Sequence, residues 1–147
     1  MTKYIYIAAG GMLGAMSRFG MKNIQIWDFQ ANFPVNTLLV NITGSFFLLL
    51  FLTISFEALD LDANIRLGIA TGFLGAFTTF STLCKETVSF MMTGEYFTAI
   101  FYIITSAFLG LMAAYLGVLS ARKIVGILIG ENHENGFNDK NNNGEVD

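Results

Sequence analysis

Gly72-Phe73-Leu74-Gly75-Ala76-Phe77-Thr78-Thr79-Phe80-Ser81-Thr82 lies inside an apolar run that extends from Arg66 to Thr93 and carries Lys85 and Glu86 near its end. The run is long enough to cross a bilayer, which takes roughly 20 mostly apolar residues. Its middle is badly made for a helix, because two glycines are followed by β-branched threonines, both poor helix formers. Irregular backbone at membrane depth survives only where it is buried in protein or lines a wet cavity. A helix broken there offers free carbonyls to a cation and free N–H groups to an anion. A continuous helix, with its Ser and Thr hydroxyls bonded back to the preceding turn, accounts for the same residues. The interruption alone leaves both readings open.

The rest of the chain has the same character. Of 147 residues, 54% are hydrophobic and 13% charged, against about 25% charged in an ordinary soluble domain. The length suits one domain. Pro34 to Phe56 and Tyr96 to Ser120 are uncharged runs of 23 and 25 residues. A shorter, glycine-rich run, Tyr4 to Phe19, follows a lysine and could pass for a signal peptide. Arg18 stands where a small-residue cleavage site belongs, so the run reads as a retained first helix. The expectation is an all-α integral membrane protein with four spans, the third broken near its middle. Lys22 to Asn32 joins the first two spans and contains Trp27, suited to the headgroup level. Asn32 is a candidate cap for the second helix, and Pro34 fits its first turn. The net charge of -3 comes largely from the last 17 residues, so no nucleic-acid partner is implied. Cys84 is alone, which excludes an intrachain disulfide.

With four spans both termini share one side. That side holds Lys3, Arg66, Arg122 and Lys123; the other holds Arg18, Lys22 and Lys85. Orientation follows the Lys/Arg bias of short loops, and four against three is almost none. Either factors outside this count orient the chain, or copies insert both ways and pair antiparallel. Gly10-x-x-x-Gly14 and Gly68-x-x-x-Gly72 are small-residue patterns that bring membrane helices close, and the first pair reads as packing within one subunit. So small a bundle has little room for a pore, which points to oligomers.

Polar residues fall on helix faces. Thr37, Asn41 and Ser45 recur every fourth residue on the second span, and Tyr102, Ser106 and Gly110 on the fourth. Asn41, Ser81, Thr82, Tyr102 and Ser106 all offer neutral donors, and no Asp, Glu or His is expected to face the middle of a span. A buried asparagine can also serve simply as a helix–helix hydrogen bond. A proton-coupled transporter needs a titrating group in the membrane, and a small dual-topology multidrug exporter needs it in the first helix, where Tyr4 to Phe19 has none. An enzyme needs a nucleophile with a base, or a metal cluster; His133 is the sole histidine and lies in the tail. Neutral donors without a carboxylate suit an anion that must be dehydrated and then released.

Three motifs in order carry a resemblance. Gly11-Met12-Leu13-Gly14-Ala15-Met16-Ser17-Arg18-Phe19, Pro34 to Phe46 with Thr37-Leu38 and Asn41 inside it, and Gly72 to Thr82 resemble the three signatures of the Fluc (CrcB) fluoride-channel family. The likeness covers about residues 4 to 120. It implies a fluoride-selective channel in the bacterial inner membrane that lets fluoride leave the cytoplasm passively, as a dual-topology antiparallel homodimer with two pores at the interface. It implies pore residues Asn41, Phe80, Ser81, Thr82, Tyr102 and Ser106, a vestibule arginine at Arg18, and a structural sodium ion held by the backbone carbonyls of Gly75 and Thr78. Asn36 and Leu83 depart from the family pattern. Leu83 replaces a second pore phenylalanine, whose ring edge carries partial positive charge, and so keeps a heterodimer with a paralogous subunit open.

Residues 121–147 lie outside the likeness and read as a polar, disordered tail after the 1–120 membrane unit. Asp139-Lys140-Asn141-Asn142-Asn143-Gly144 copies half of a calcium loop. The bidentate Glu such a loop needs at position 12 has no counterpart in the nine positions from Asp139 to Asp147, so no calcium site is expected.

Overall fold

A computed structural model describes residues 2–23, 33–59 and 61–142 of the chain, with side chains described as far as Ile127. Trp27 and the expected cap Asn32 lie outside the described residues. No strand occurs among the described residues. Four helical runs follow one another. They are α1 (Thr2–Asn23), α2 (Val35–Glu57), a composite third run, and a last helix, Tyr96–Asn142. The third run consists of α3 (Ala63–Leu67), a π-helical stretch (Gly68–Leu74), α4 (Gly75–Phe77) and α5 (Phe80–Met92); the last helix is therefore α6. Three runs, Val35–Glu57, Ala63–Met92 and Tyr96–Ile127, are long and apolar enough to cross a membrane. α1 has 22 residues but includes Lys3, Arg18 and Lys22 among them, so it is less apolar than its neighbours. The molecule is a multi-pass membrane protein.

The third run is broken where its sequence is weakest. Thr78 (φ -72°, ψ 156°) and Thr79 (φ -144°, ψ 108°) are extended between α4 and α5. The continuous helix left open by the sequence does not form, because Thr79 caps α5 by accepting from Thr82 N at 3.2 Å. That is the usual work of a threonine at a helix N-terminus. Upstream, the backbone widens into the π-helical stretch, a form that concentrates at functional sites. Asp62 starts α3 by accepting from Asn64 N at 2.8 Å. α5 ends at Gly94, whose φ of +80° allows Glu95 N to reach Phe90 O at 2.8 Å and Gly94 N to reach Met91 O at 3.2 Å. These two bonds are the paired closure of a glycine-terminated helix. Pro34, expected in the first turn of α2, is instead the residue that precedes it.

α1 packs on the third run, and α2 on α6. Backbone contact at glycine makes the first pairing close. A Cβ on Gly10 would strike Gly68 O, one on Gly14 would strike Phe73 O, and one on Gly72 would lie 2.6 Å from Ile7 O. Both small-residue patterns therefore serve packing inside the subunit. Gly117 does the same for α6 against Phe46 of α2.

Glu57 at the end of α2 meets Arg122 Nε at 3.5 Å, and Arg66 Nε donates to Ser55 Oγ at 2.8 Å. The end of α2, the start of α3 and the Ser120 region of α6 thus share one side, as four crossings require. α6 continues past Ser120 to Asn142, through residues assigned from the sequence to the polar tail. Ala121 and Val125 are buried.

Gly14→Ala should lower stability by about 1–3 kcal/mol, the usual cost of overpacking a filled contact. Gly20→Ala, with open space around it, should change it by less than about 0.5 kcal/mol. Thermal unfolding of the two variants in detergent checks the contrast.

Candidate functional site

The break leaves backbone groups that the helix would otherwise have paired, and Asn41 of α2 takes them up. Its Oδ1 accepts from Thr79 N at 2.8 Å and its Nδ2 donates to Thr79 O at 3.1 Å. Asn41 is thus a clamp on the third run before it is anything else, and the helix–helix role left open by the sequence is the one its amide fills. In an unbroken helix Thr79 N would go to Gly75 O, and Thr82 N to Thr78 O. Here the first goes to Asn41 and the second to Thr79 Oγ1. Two carbonyls are thereby deprived of their helical donors. They are Gly75 O, left with Thr78 Oγ1 at 3.4 Å, and Thr78 O. Gly75 is exposed on the subunit surface and Thr78 half-buried.

That chemistry fits an alkali cation held by backbone oxygens. Among the described residues no cluster of three or more His, Cys, Asp or Glu could hold a metal.

A run of hydroxyls begins at the break. Thr79 Oγ1, buried, lies 2.9 Å from Thr82 Oγ1 and 3.4 Å from Ser81 Oγ. Asn41, Ser81 and Thr82 are therefore brought together around Thr79. Phe80 is not among them within one subunit. It is 78% exposed and projects from the surface beside the break. Arg18 is half-buried near the end of α1.

One turn deeper into α5 a second network is built on Glu86, a carboxylate away from the middle of the span but bonded between helices. Glu86 Oε1 accepts from Thr37 Oγ1 at 2.8 Å and Oε2 from Tyr102 OH at 2.7 Å. Both oxygens are bonded, which is how a carboxylate tolerates a half-buried place among apolar helices. Tyr102 is completely buried, with the rings of Phe33 and Phe90 edge-on at 5.3 and 6.2 Å. The signal for Glu86 was in the sequence: Thr82 and Glu86 are one helical turn apart and so share a face. By sequence it was placed only near the end of the apolar run. Leu83 packs at the edge of the cluster of Leu38, Phe90, Ala99 and Tyr102.

The polar face of α2 meets that of α6. Tyr102 is linked to Thr37 through Glu86, and two turns on Gly110 stands opposite Ser45, whose Oγ would lie 3.8 Å from a Cβ there. Between them Ser106 Oγ is buried without a hydrogen-bond partner. An unpaired buried hydroxyl is uncommon. A broken spanning helix, one side-chain amide and several hydroxyls thus meet within an apolar bundle. These are the features of a membrane protein that conducts or carries a small ion.

The comparisons with known proteins narrow that class. The model of the CrcB-like protein, Camphor Resistance (CrcB) family matches residues 5–118, and the chain belongs to that family. A protein of Acidobacterium capsulatum called fluoride-specific ion channel FluC is 39% identical over 126 residues, covering 84% of this chain and 98% of the relative. A protein of the same name from Thermus thermophilus is 41% identical over 126 residues, covering 86% of this chain and 100% of the relative. That from Thermosipho melanesiensis is 40% identical over 121 residues, covering 82% of this chain and 96% of the relative.

Asn41→Ala should lower stability by about 1–3 kcal/mol, since it strands a backbone N–H and C=O at a buried break. Asn41→Asp keeps the acceptor for Thr79 N but sets a carboxylate oxygen against Thr79 O, and should cost at least as much. Melting of the purified variants in detergent orders the three.

Proposed function

We propose that this protein is a fluoride-selective ion channel that lets fluoride leave the cytoplasm passively and so protects the cell against fluoride. The observation that carries the reading is the 39–41% identity to fluoride-specific channels along nearly their whole length. The interior suits the ion. Fluoride is small and strongly hydrated, and neutral donors at Ser81, Thr82, Ser106 and the second N–H of Asn41 can replace its water without holding it too tightly; Tyr102, whose hydroxyl hydrogen goes to Glu86, lines the path beside them. The exposed ring of Phe80 offers a partially positive edge.

The working unit is an antiparallel homodimer in the bacterial plasma membrane, with both orientations of the chain inserted; a paralogous partner is the alternative that Leu83 keeps open. Two pores run along the interface, and Arg18 stands in a vestibule of each. In the two-fold dimer Gly75 and Thr78 supply carbonyls in symmetric pairs to a structural sodium ion, which would tie the two breaks together. Residues 1–120 make the channel unit and 121–147 a polar extension outside it, although the burial of Ala121 and Val125 favours a packed unit that runs a few residues further.

A proton-coupled multidrug exporter is the other class with four helices and dual topology. It finds no support here: α1 has no Asp or Glu, and both oxygens of Glu86 are taken by neutral donors.

Liposomes loaded with fluoride and carrying the purified protein should lose it at the same rate with and without a proton gradient. Thr82→Ala should slow that loss about fivefold, the factor that matches one hydrogen bond of ~1 kcal/mol. Phe80→Ala should also reduce it. Efflux that needs a proton gradient would replace this reading with the exporter.

A further inference from the structure

Lys85 stands well inside α5, five residues past Phe80 and seven before Met92. It is exposed on the subunit. No carboxylate comes within ion-pairing distance of it among the described residues. The neighbouring Glu86 points elsewhere, with its carboxylate fixed to Thr37 and Tyr102 on the α2 and α6 side. A lone ammonium on a spanning helix is costly against hydrocarbon, and such groups face water or a partner.

Escape to the headgroups is unfavourable in this direction. Lys85 lies about 10 Å from the Met92 end of α5, at 1.5 Å per residue. Helical side chains lean toward their own N-terminus, which for α5 is the break in the middle of the span. The Cα–Cβ bond of Lys85 therefore leans toward Ser81, one turn away, and away from the nearer surface. Ser81, Lys85 and Ser89 follow one another at four-residue spacing, and all three are exposed. This polar stripe runs down a membrane helix from its outer end to the break, on a different side from the Glu86 network.

We propose that Lys85 lines a water-filled entrance that leads along this stripe to Ser81, and that its charge gathers small anions at the mouth of the fluoride path. The inference rests on the channel reading. Lys85 steers and does not select, because its field attracts chloride as well as fluoride; discrimination is left to the neutral donors beyond Ser81. A cation at the entrance raises the local concentration of the permeant ion, so its effect is on throughput and is screened by salt. The Debye length falls from about 10 Å at 0.1 M to about 3 Å at 1 M, which is shorter than one turn of α5.

Two measurements on the full-length protein test this. First, fluoride currents of the wild type, Lys85→Gln and Lys85→Arg are recorded in planar bilayers at about 0.02 M and about 1 M total salt, the balance being impermeant ions. Lys85→Gln should conduct roughly two- to fivefold less at low salt, a single charge's share of steering effects that reach 10-fold and more. The gap should close at high salt, and Lys85→Arg should recover most of the loss. Equal currents at both salts, or a deficit that salt leaves unchanged, overturn the proposal while a conducting wild type keeps the channel reading. Second, Lys85→Cys in a Cys84→Ser background is treated with a membrane-impermeant thiosulfonate. Rapid modification is expected; protection from the reagent overturns the wet entrance whatever the currents show. A wild type that passes no fluoride overturns the channel reading and anion gathering together, with labelling then deciding the wet entrance alone.

Discussion

The two hydrogen bonds between Asn41 and the backbone of Thr79 are the constraint on which the rest depends. A break in a spanning helix exposes N–H and C=O groups that lipid cannot satisfy. One asparagine amide, with a donor and an acceptor on the same group, closes both at Thr79. Because it takes Thr79 N, Gly75 O loses its helical donor; because Thr79 Oγ1 takes Thr82 N, Thr78 O loses its own. The Asn41 clamp thus frees Gly75 O, and the Thr79 cap frees Thr78 O.

Around that constraint the packing is arranged to hold the third run rigid on both sides. Upstream, the π-helical stretch lies against α1 with Gly10, Gly14 and Gly72 at the contact, so that backbone touches backbone. Gly44 of α2 makes room for the methyl of Thr78 and the ring of Phe77. Downstream, α5 is anchored by Glu86 to Thr37 of α2 and Tyr102 of α6. An ion path needs donors whose positions do not follow the ion, and close glycine contacts with fully bonded side chains supply that stiffness. Lys85 and Ser81, by contrast, have no such ties to α2 or α6 and sit on the open side of the same helix.

Much of this was legible in the sequence because membrane proteins write their constraints locally. Long uncharged runs marked the spans, the Gly-Ala-Phe-Thr-Thr stretch marked the break, and the four-residue spacing of Thr37, Asn41 and Ser45 marked the inward face of α2. The direction in which Asn41 spends its amide was not legible, since that depends on a residue 38 positions away. The role of Glu86 was not legible for a related reason: it depends on two hydroxyls from other helices, Thr37 and Tyr102. The π-helical stretch has no residue signature beyond its glycines; it lies where the third run packs against α1. Phe80 was recognised by motif, and the exposure of its ring on the subunit surface was not legible from it.

The central claim is that this broken, donor-lined bundle conducts fluoride and rejects larger halides. Single-channel recording of the purified protein in a planar bilayer, first in fluoride and then in chloride, tests it most directly. Unitary currents in fluoride that vanish when chloride replaces it are the predicted result. Comparable currents in the two salts would contradict the account.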